Sequence, residues 1–483
     1  MFIGREAELN KLNSMYESED FQMLVLYGRR RIGKTTLLNE FSKDKDPVYY
    51  TGVESKDEEN LKGFGRTAFA YFTGSSAGMV FSSYSDVLDY MTTEIRKREN
   101  EKRQLIILDE YPYMAASAKE LSSELQHVID HEWSKMNIML ILCGSSITFM
   151  EEDVLGAKSP LFGRRTAQMD LMPFDYRVSA RFVPQYSSED KAVCYGVTGG
   201  VAKYLSMFDP QKSLDENLIQ LFFDSAGYFY EEPENMLRQE FRDTSLYFAI
   251  LHAIGSGSIQ VNEISDKTGF GSEKVVQALH RLEAVRIVKR DVPILNEKNK
   301  KLSQYVLRDG MFRFWFRFVP RGINAIERGF GRQYFENAVR PFLHEYMGPV
   351  FETICQDYTA LRGMTGRYGF LVTRIGKWRG SDPVKKEPTD IDVVGISDID
   401  KKAVIGECKF KNEIVGRQEY QTLVDRARLV APYHVEKYLL FSLSGFSDWL
   451  TTHAASDPTL ELLSIDDLYN DHKPRNLNIN KVK

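Results

Sequence analysis

The chain has 483 residues, 43% hydrophobic and 12% aromatic, with a formal net charge of -5; two to four folded domains are expected, and long disorder and a polycationic character are excluded. Cys143, Cys194, Cys355 and Cys408 lie far apart without a CxxC pair, which excludes a disulfide framework or zinc site and suits a reducing cytoplasm. No run approaches 18 apolar residues and the opening MFIGREAELN is no signal peptide, so a cytoplasmic protein is expected.

The first segment alternates apolar strands with helical stretches: QMLVLY, PVYYT, QLIILD and IMLILCG. Such continuous runs predict strands buried on both faces, hence a parallel α/β sheet. LYGRRRIGKTTLL follows the first strand and carries Gly28, Gly33, Lys34 and Thr35 in the spacing GxxxxGK[ST], with Thr36 next. In that context the glycines let backbone N–H groups close around phosphates, and the helix N-terminus adds its positive end. Lys34 would reach the β- and γ-phosphates of ATP, and Thr35 would ligate Mg²⁺. QLIILDEYPYM ends a buried strand in Asp109, for the Mg²⁺ shell, and Glu110, placed to orient or deprotonate a water. Ser145 and Ser146 end the strand IMLILCGSS, where a neighbouring strand would meet the γ-phosphate. Arg164 and Arg165 in SPLFGRR either contact transition-state charge, in cis or in trans, or bond acidic neighbours.

Together FIGREAEL, these Walker motifs, DEYPYM, CGSS, LFGRR and GGVAKYL resemble the archaeal-type P-loop ATPases of the AAA+/STAND group, and the resemblance runs over nearly the whole chain. It implies that Phe2, Ile3, Gly4 and Arg5 lie near the adenine. It also implies a helical lid with Gly-Gly-hydrophobic-Pro; here the stretch is Gly199, Gly200, Val201 and Ala202, so the lid proline is replaced.

Residues up to about 240 read as helices, and residues 245–320 as three helices followed by a hairpin, a winged-helix rhythm with two glycines in KTGFGSEK. Ile250, Leu251, Ile254, Ile264, Val275, Val276, Leu279 and Leu282 supply its apolar faces. Between Lys274 and Lys301 stand eight Lys or Arg against three Asp or Glu. Arg286, Lys289, Arg290, Lys298, Lys300 and Lys301 would suit a wing beside a DNA backbone, or else a charged loop on a module used for protein packing. The aromatic stripe of DGMFRFWFRFVP is expected in a core or domain interface.

The last segment contains TDIDVVGISDIDKKAVIGECKF, residues 389–410. A hairpin turning at Ile399 and Asp400 would set Asp392 opposite Glu407 and Asp390 opposite Lys409. Glu407 and Lys409 share one strand face. Opposed carboxylates repel unless a hard cation neutralises them, so removing either without metal is expected to leave stability unchanged or raise it slightly. Asp392 followed by Glu407-Cys408-Lys409 resembles the PD-(D/E)xK nuclease core. That resemblance implies Glu352 as a further Mg²⁺ or Mn²⁺ ligand, Gln421 on the following helix, and Lys409 acting on water. A solvated acidic hairpin and a nucleic-acid-binding fold that does not cut are the alternatives.

The combined expectation is an α/β multidomain chain: a P-loop ATPase domain over 1–180, a helical lid over 181–240, a winged helix over 241–320 and a restriction-endonuclease-like domain over 321–483. It would bind ATP and cleave DNA with a metal, as a possible homo-oligomer or with a protein partner. The rival readings are an ATP-dependent regulatory switch whose C-terminal domain only recognises nucleic acid or a partner, and a non-enzymatic DNA-binding regulator with a structural nucleotide.

Overall fold

The computed structural model describes residues 2–75, 79–98 and 102–470. Two compact units divide it: residues 1–174 with Val201–Tyr204, and residues 175–200 with 205–483. The first unit ends at Phe174 and takes Val201–Tyr204 out of the expected lid, and the second holds the rest of that lid with the hairpin module and the C-terminal domain.

In the first unit, β1 (Gln22–Tyr27), β2 (Val48–Thr51), β3 (Gln104–Asp109), β4 (Ile138–Gly144) and β5 (Ala167–Asp170) form a parallel sheet in the order β2-β3-β4-β1-β5. The expected strands are all present. β5 was not picked out, because it is short and alternates half-buried with exposed residues, leaving no apolar run to see. β3 and β4 are buried along their whole length, which explains their unbroken hydrophobicity. One face of the two strands, Ile106 and Leu108 on β3 with Ile138, Leu140 and Leu142 on β4, joins a core with Trp133, whose indole N–H donates to Thr92 Oγ1 at 2.8 Å. α1 (Lys34–Ser42) starts directly behind the loop that leaves β1.

The second unit begins with helices Tyr176–Ala180, Ser188–Thr198, Leu214–Phe222 and Glu232–Glu240. α2 (Ser245–Gly255), α3 (Val261–Thr268) and α4 (Ser272–Ala284) follow, then the antiparallel ribbon of β6 (Val288–Asp291) and β7 (Gln304–Leu307). Ile250, Leu251, Ile264, Val275, Leu279 and Leu282 are buried between these helices, as their spacing predicts. α5 (Gly310–Glu327) carries the aromatic stripe, and Phe312, Phe314, Phe316 and Phe318 are core residues. Asp309 caps it by accepting from Phe312 N at 2.8 Å.

A second sheet is built from β8 (Arg374–Ser381), β9 (Pro388–Ser397), β10 (Lys402–Lys409), β11 (His434–Ser442) and β12 (Leu460–Ser464), in the order β12-β11-β10-β9-β8. β8, β9 and β10 are antiparallel neighbours, while β10, β11 and β12 run parallel. The long helix α6 (Leu343–Met364) precedes this sheet and packs on β9 and β10, and α7 (Arg417–Arg426) joins β10 to β11. Parallel neighbours require such a crossover.

The connection from β6 to β7 lies along the outer side of β8. Ile294 N donates to Lys377 O at 2.9 Å, and Asn296 Nδ2 to Arg379 O at 2.8 Å. Ile294 is buried in the apolar cluster of Trp378, Ile391 and Val394, a burial that stabilises by about 1.5–3 kcal/mol. An edge strand exposes unpaired carbonyls that invite other chains. Here the connection covers them, which explains why the hairpin module and the second sheet form one unit.

Candidate functional site

The first constellation surrounds the β1–α1 loop. Gly28 has φ 145°, and a Cβ there would stand 2.5 Å from Leu171 O and 2.7 Å from Ile32 Cδ1, so only glycine fits. Gly33 turns the chain into α1 with φ 94°. Lys34 is buried and its Nζ donates to Gly28 O at 2.9 Å and Arg29 O at 3.1 Å, folding the ammonium back over its own loop. Burial lowers its pKa, an effect only partly offset by Cys143, Glu110 and Asp109. Thr35 Oγ1 donates to Asp109 Oδ2 at 2.8 Å, and Tyr49 Oη donates to the same oxygen at 3.0 Å. Thr36 is exposed beside Thr35.

Glu110 follows Asp109 with φ 49°, a left-handed conformation rare for glutamate. Its Oε2 accepts from Ser145 Oγ at 2.8 Å and from Ser145 N at 3.3 Å. The ends of β3 and β4 therefore bring together the expected residues Thr35, Asp109, Glu110 and Ser145. Tyr49 was missed, because a tyrosine in an apolar strand reads as core. Ser146 stands at the N-cap of the next short helix, without a side-chain cap bond.

The opening segment packs against the same loop. Gly4 and Arg5 both have positive φ. The Arg5 guanidinium donates to Ile32 O in the loop at 3.2 Å and Met172 O at 2.7 Å, and lies 4.2 Å from the Phe174 ring. It braces the loop from outside. Lys203 N donates to Arg31 O at 3.0 Å, and the Ala202 Cβ faces the Gly33 Cα side, so the segment with the replaced proline still reaches the loop. Arg164 pairs with Asp130 through Nε and Nη2, at 3.1 and 2.8 Å. Of its two readings, the acidic neighbour is the one observed. Arg165 beside it is half-buried.

The second constellation lies where α6 crosses β8, β9 and β10. Lys402 pairs with Ser397 and Gly406 with Val393, which is the register expected from a turn at Ile399 and Asp400. The loop has four residues rather than two, symmetric about that centre, so every side chain kept its face. Pairing ends at Gly406 and Val393, one step before Asp392 and Glu407. Asp390 does not meet Lys409. Its Oδ2 lies 2.9 Å from Lys377 Nζ on β8, and the same ammonium lies 2.9 Å from Glu352 Oε2 and 2.9 Å from Asp392 Oδ1.

Asp392 is buried, with Oδ2 accepting from Cys408 N at 3.0 Å. Glu407 bonds Lys409 through Oε1 at 2.6 Å and Arg426 of α7 through Oε2 at 3.1 Å. Gln421 on α7 is exposed. Burial and then the Asp392 charge push the Glu352 carboxyl up to about 7, and the same two causes raise Glu407. Burial opposes the Lys377 charge, but Asp392, Glu352 and Asp390 outweigh it and raise the ammonium's pKa. The expected repulsion between Asp392 and Glu407 is thus answered from within the chain by Lys377, Lys409 and Arg426. Lys377 and Arg426 were missed in the sequence, since nothing in RIGKWRGS marks a lysine that turns toward a neighbouring strand.

Among the described residues, no three acidic, histidine or cysteine side chains close on a common metal position. Three carboxylates, those of Glu352, Asp390 and Asp392, converge instead on the Lys377 ammonium, and carboxylate oxygens are the donor type that hard divalent cations take.

Residues 2–208 match the family of ATPase domains predominantly from Archaea. The chain carries an archaeal-type P-loop ATPase domain. Beyond this ATPase domain, residues 315–422 match archaeal and bacterial proteins of unknown function, a stretch that includes Glu352, Lys377, Asp390, Asp392, Glu407 and Lys409. The whole chain resembles an uncharacterized protein of Methanocaldococcus jannaschii, 29% identical over 470 residues, covering 92% of this chain and 100% of that one. An uncharacterized ATP-binding protein of the same organism is 40% identical over 45 residues, 9% of this chain and 76% of that protein. Among solved structures, a Walker-type ATPase of Pyrococcus abyssi is similar with TM-score 0.49 and 19% identity, over 65% of this chain and 96% of that one. The Aeropyrum pernix ORC2 protein is similar with TM-score 0.44 and 16% identity, over 67% of this chain and 94% of that one. No helix among the described residues is long and apolar enough to cross a membrane.

Proposed function

We propose that the ATPase domain hydrolyses ATP and acts with a winged helix, residues 241–320, and a metal-dependent nuclease-like domain, residues 321–483, that cuts DNA. The convergence of Glu352, Asp390 and Asp392 on one cation, beside Glu407 and Lys409, carries this reading.

In the ATPase domain, Lys34 exchanges its two loop carbonyls for the β- and γ-phosphates of ATP. Thr35 and Asp109 would hold Mg²⁺, and Glu110, on release from Ser145, would orient the attacking water. Thr36 borders the phosphates, Gly4 the base, and Ser145 reports the state of Glu110. Arg165, with Arg164 if it leaves Asp130, is the positive charge available to a phosphate.

In the second sheet, Asp392, Glu407 and Glu352 would hold Mg²⁺ or Mn²⁺. Such an ion supplies charge stabilisation to a phosphodiester at its scission. Asp392 is held in place by Cys408 N and by the backbone of β9, whose Asp392 carbonyl accepts from Gln356 at 2.7 Å. Lys409 points from the same strand face as Glu407 and directs a water toward phosphorus. The order α6, β8, β9, β10, α7, β11, with β11 parallel to β10, supports the nuclease-like reading. The alternative, recognition without cutting, is favoured by the fact that Lys377 already neutralises the carboxylates.

The test of the metal assignment is thermal. Mg²⁺ or Mn²⁺ is expected to raise the melting temperature, since a ligand bound only by the folded state stabilises it. Asp392→Ala and Glu407→Ala should lose that gain, while Lys409→Ala keeps it. No metal shift in the parent would remove the metal from this reading.

The wing gives a separate prediction. Arg290 is engaged with Glu283 and Ser303, but Lys298, Lys300 and Lys301 are exposed at the tip. Replacing these three with alanine should weaken DNA binding alike for all sequences. Each lost phosphate contact flattens the log–log salt slope by about 0.9. An unchanged slope would assign the lysines to solvent and the module to protein packing.

A further inference from the structure

We propose that Lys377 is a built-in occupant of the metal position, so that a divalent cation enters the carboxylate cluster only as the Lys377 side chain leaves it. This rests on the metal reading above.

The geometry is local and specific. Along β8 and β9, Gly376 pairs with Val394 and Trp378 with Ile391, so Lys377 alone faces both Asp392 and Val393. That is a bulge on β9, and bulges bend a strand and re-aim its side chains. From this position the Lys377 ammonium lies 2.9 Å from each of Glu352, Asp390 and Asp392, which come from two separate elements, α6 and β9. The backbone of Lys377 cannot follow a moving side chain, because its carbonyl accepts from Ile294 N at 2.9 Å. What is free to move is the four-carbon stem, which can carry the charge away without disturbing the sheet.

Ammonium and metal exclude each other on simple distances. Mg²⁺ binds carboxylate oxygens at about 2.0–2.1 Å. An ammonium still 2.9 Å from the same oxygens would share them with a doubly charged ion and be repelled by it. The cluster therefore has two states, filled by Lys377 or by metal. In the first, the acidic residues stay paired and folded. In the second, the freed ammonium becomes available to an anion, such as the phosphate backbone of the substrate. Any such anion favours the second state and, by linkage, tightens metal binding.

The test uses the full chain and Mn²⁺ as the probe, in Lys377→Met, Lys377→Arg, Lys377→Met/Asp392→Ala and the parent. Without metal, Lys377→Met should melt below the parent, because three carboxylates lose their cation. By calorimetry Lys377→Met should bind Mn²⁺ at least tenfold more tightly than the parent, and the double variant should lose this site. Lys377→Arg, which keeps a cation with a rigid fork, should fold and bind Mn²⁺ no better than the parent. If Lys377→Met fails to fold, a tighter Mn²⁺ affinity in Lys377→Arg than in the parent would by itself overturn the proposal. Equal or weaker Mn²⁺ binding in Lys377→Met, lost in the double variant, would overturn the competition while leaving the metal site standing. Absence of Asp392-dependent Mn²⁺ binding in both the parent and Lys377→Met would overturn the metal reading itself.

Discussion

Lys34→Ala will lose ATP binding, whereas Glu110→Gln will bind ATP and fail to turn it over. Lys34 supplies a buried ammonium at the mouth of the loop, and its two present acceptors are backbone carbonyls that phosphates replace. Charged hydrogen bonds contribute about 1.5–3 kcal/mol each, so losing two should cost at least about 3 kcal/mol, more than a hundredfold in Kd. Glu110 accepts from Ser145 Oγ and Ser145 N. A glutamine keeps an oxygen for the Ser145 bonds, so the fold and the affinity stay, but it cannot take a proton. Turnover should fall by about 10²–10⁴. Equal nucleotide affinity in Lys34→Ala and the parent would contradict the site.

Asp392→Ala will destabilise the metal-free protein by about 2–4 kcal/mol. The loss strips one of three carboxylates from Lys377 and the acceptor from Cys408 N, and a buried donor left without its acceptor costs about 1–3 kcal/mol. Glu407→Ala should cost less, about 1 kcal/mol, because Lys409 and Arg426 are partly exposed and can turn to water. Asp390→Ala, nearly half exposed at 44%, should cost least. The ranking separates this network from an isolated acidic hairpin, in which either deletion relieves repulsion. Urea unfolding of the three variants without metal decides it. An Asp392→Ala variant as stable as the parent would contradict the pairing.

The parallel sheet and its phosphate loop were legible because the information is local. Apolar runs show strands buried on both faces, and GxxxxGK[ST] between a strand and a helix is a contiguous signal. The β9–β10 hairpin was legible for the same reason: its turn centre fixed the register through Gly406 and Val393. What failed to show were partners from elsewhere in the chain. The contacts of Arg5 with Met172 and Phe174 have no signature in the sequence, since folding alone brings those residues to it. Asp390 was assigned to Lys409 but meets Lys377, because a bulge shifts β8 against β9 and no residue type announces it. The connection between β6 and β7 reads in sequence as a wing beside DNA or a charged loop on a packing module, and neither reading shows that it covers β8, where Ile294 is buried.

The measurement that bears most directly on the account is cleavage of supercoiled, linear, single-stranded and branched DNA by the purified full chain, with and without ATP and with Mg²⁺ or Mn²⁺. Metal-dependent cuts are expected in at least one DNA form, abolished in Asp392→Ala, Glu407→Ala and Lys409→Ala while each variant stays folded. Intact DNA in every form, with either metal and with or without ATP, would contradict it and leave a regulatory ATPase whose second sheet recognises without cutting.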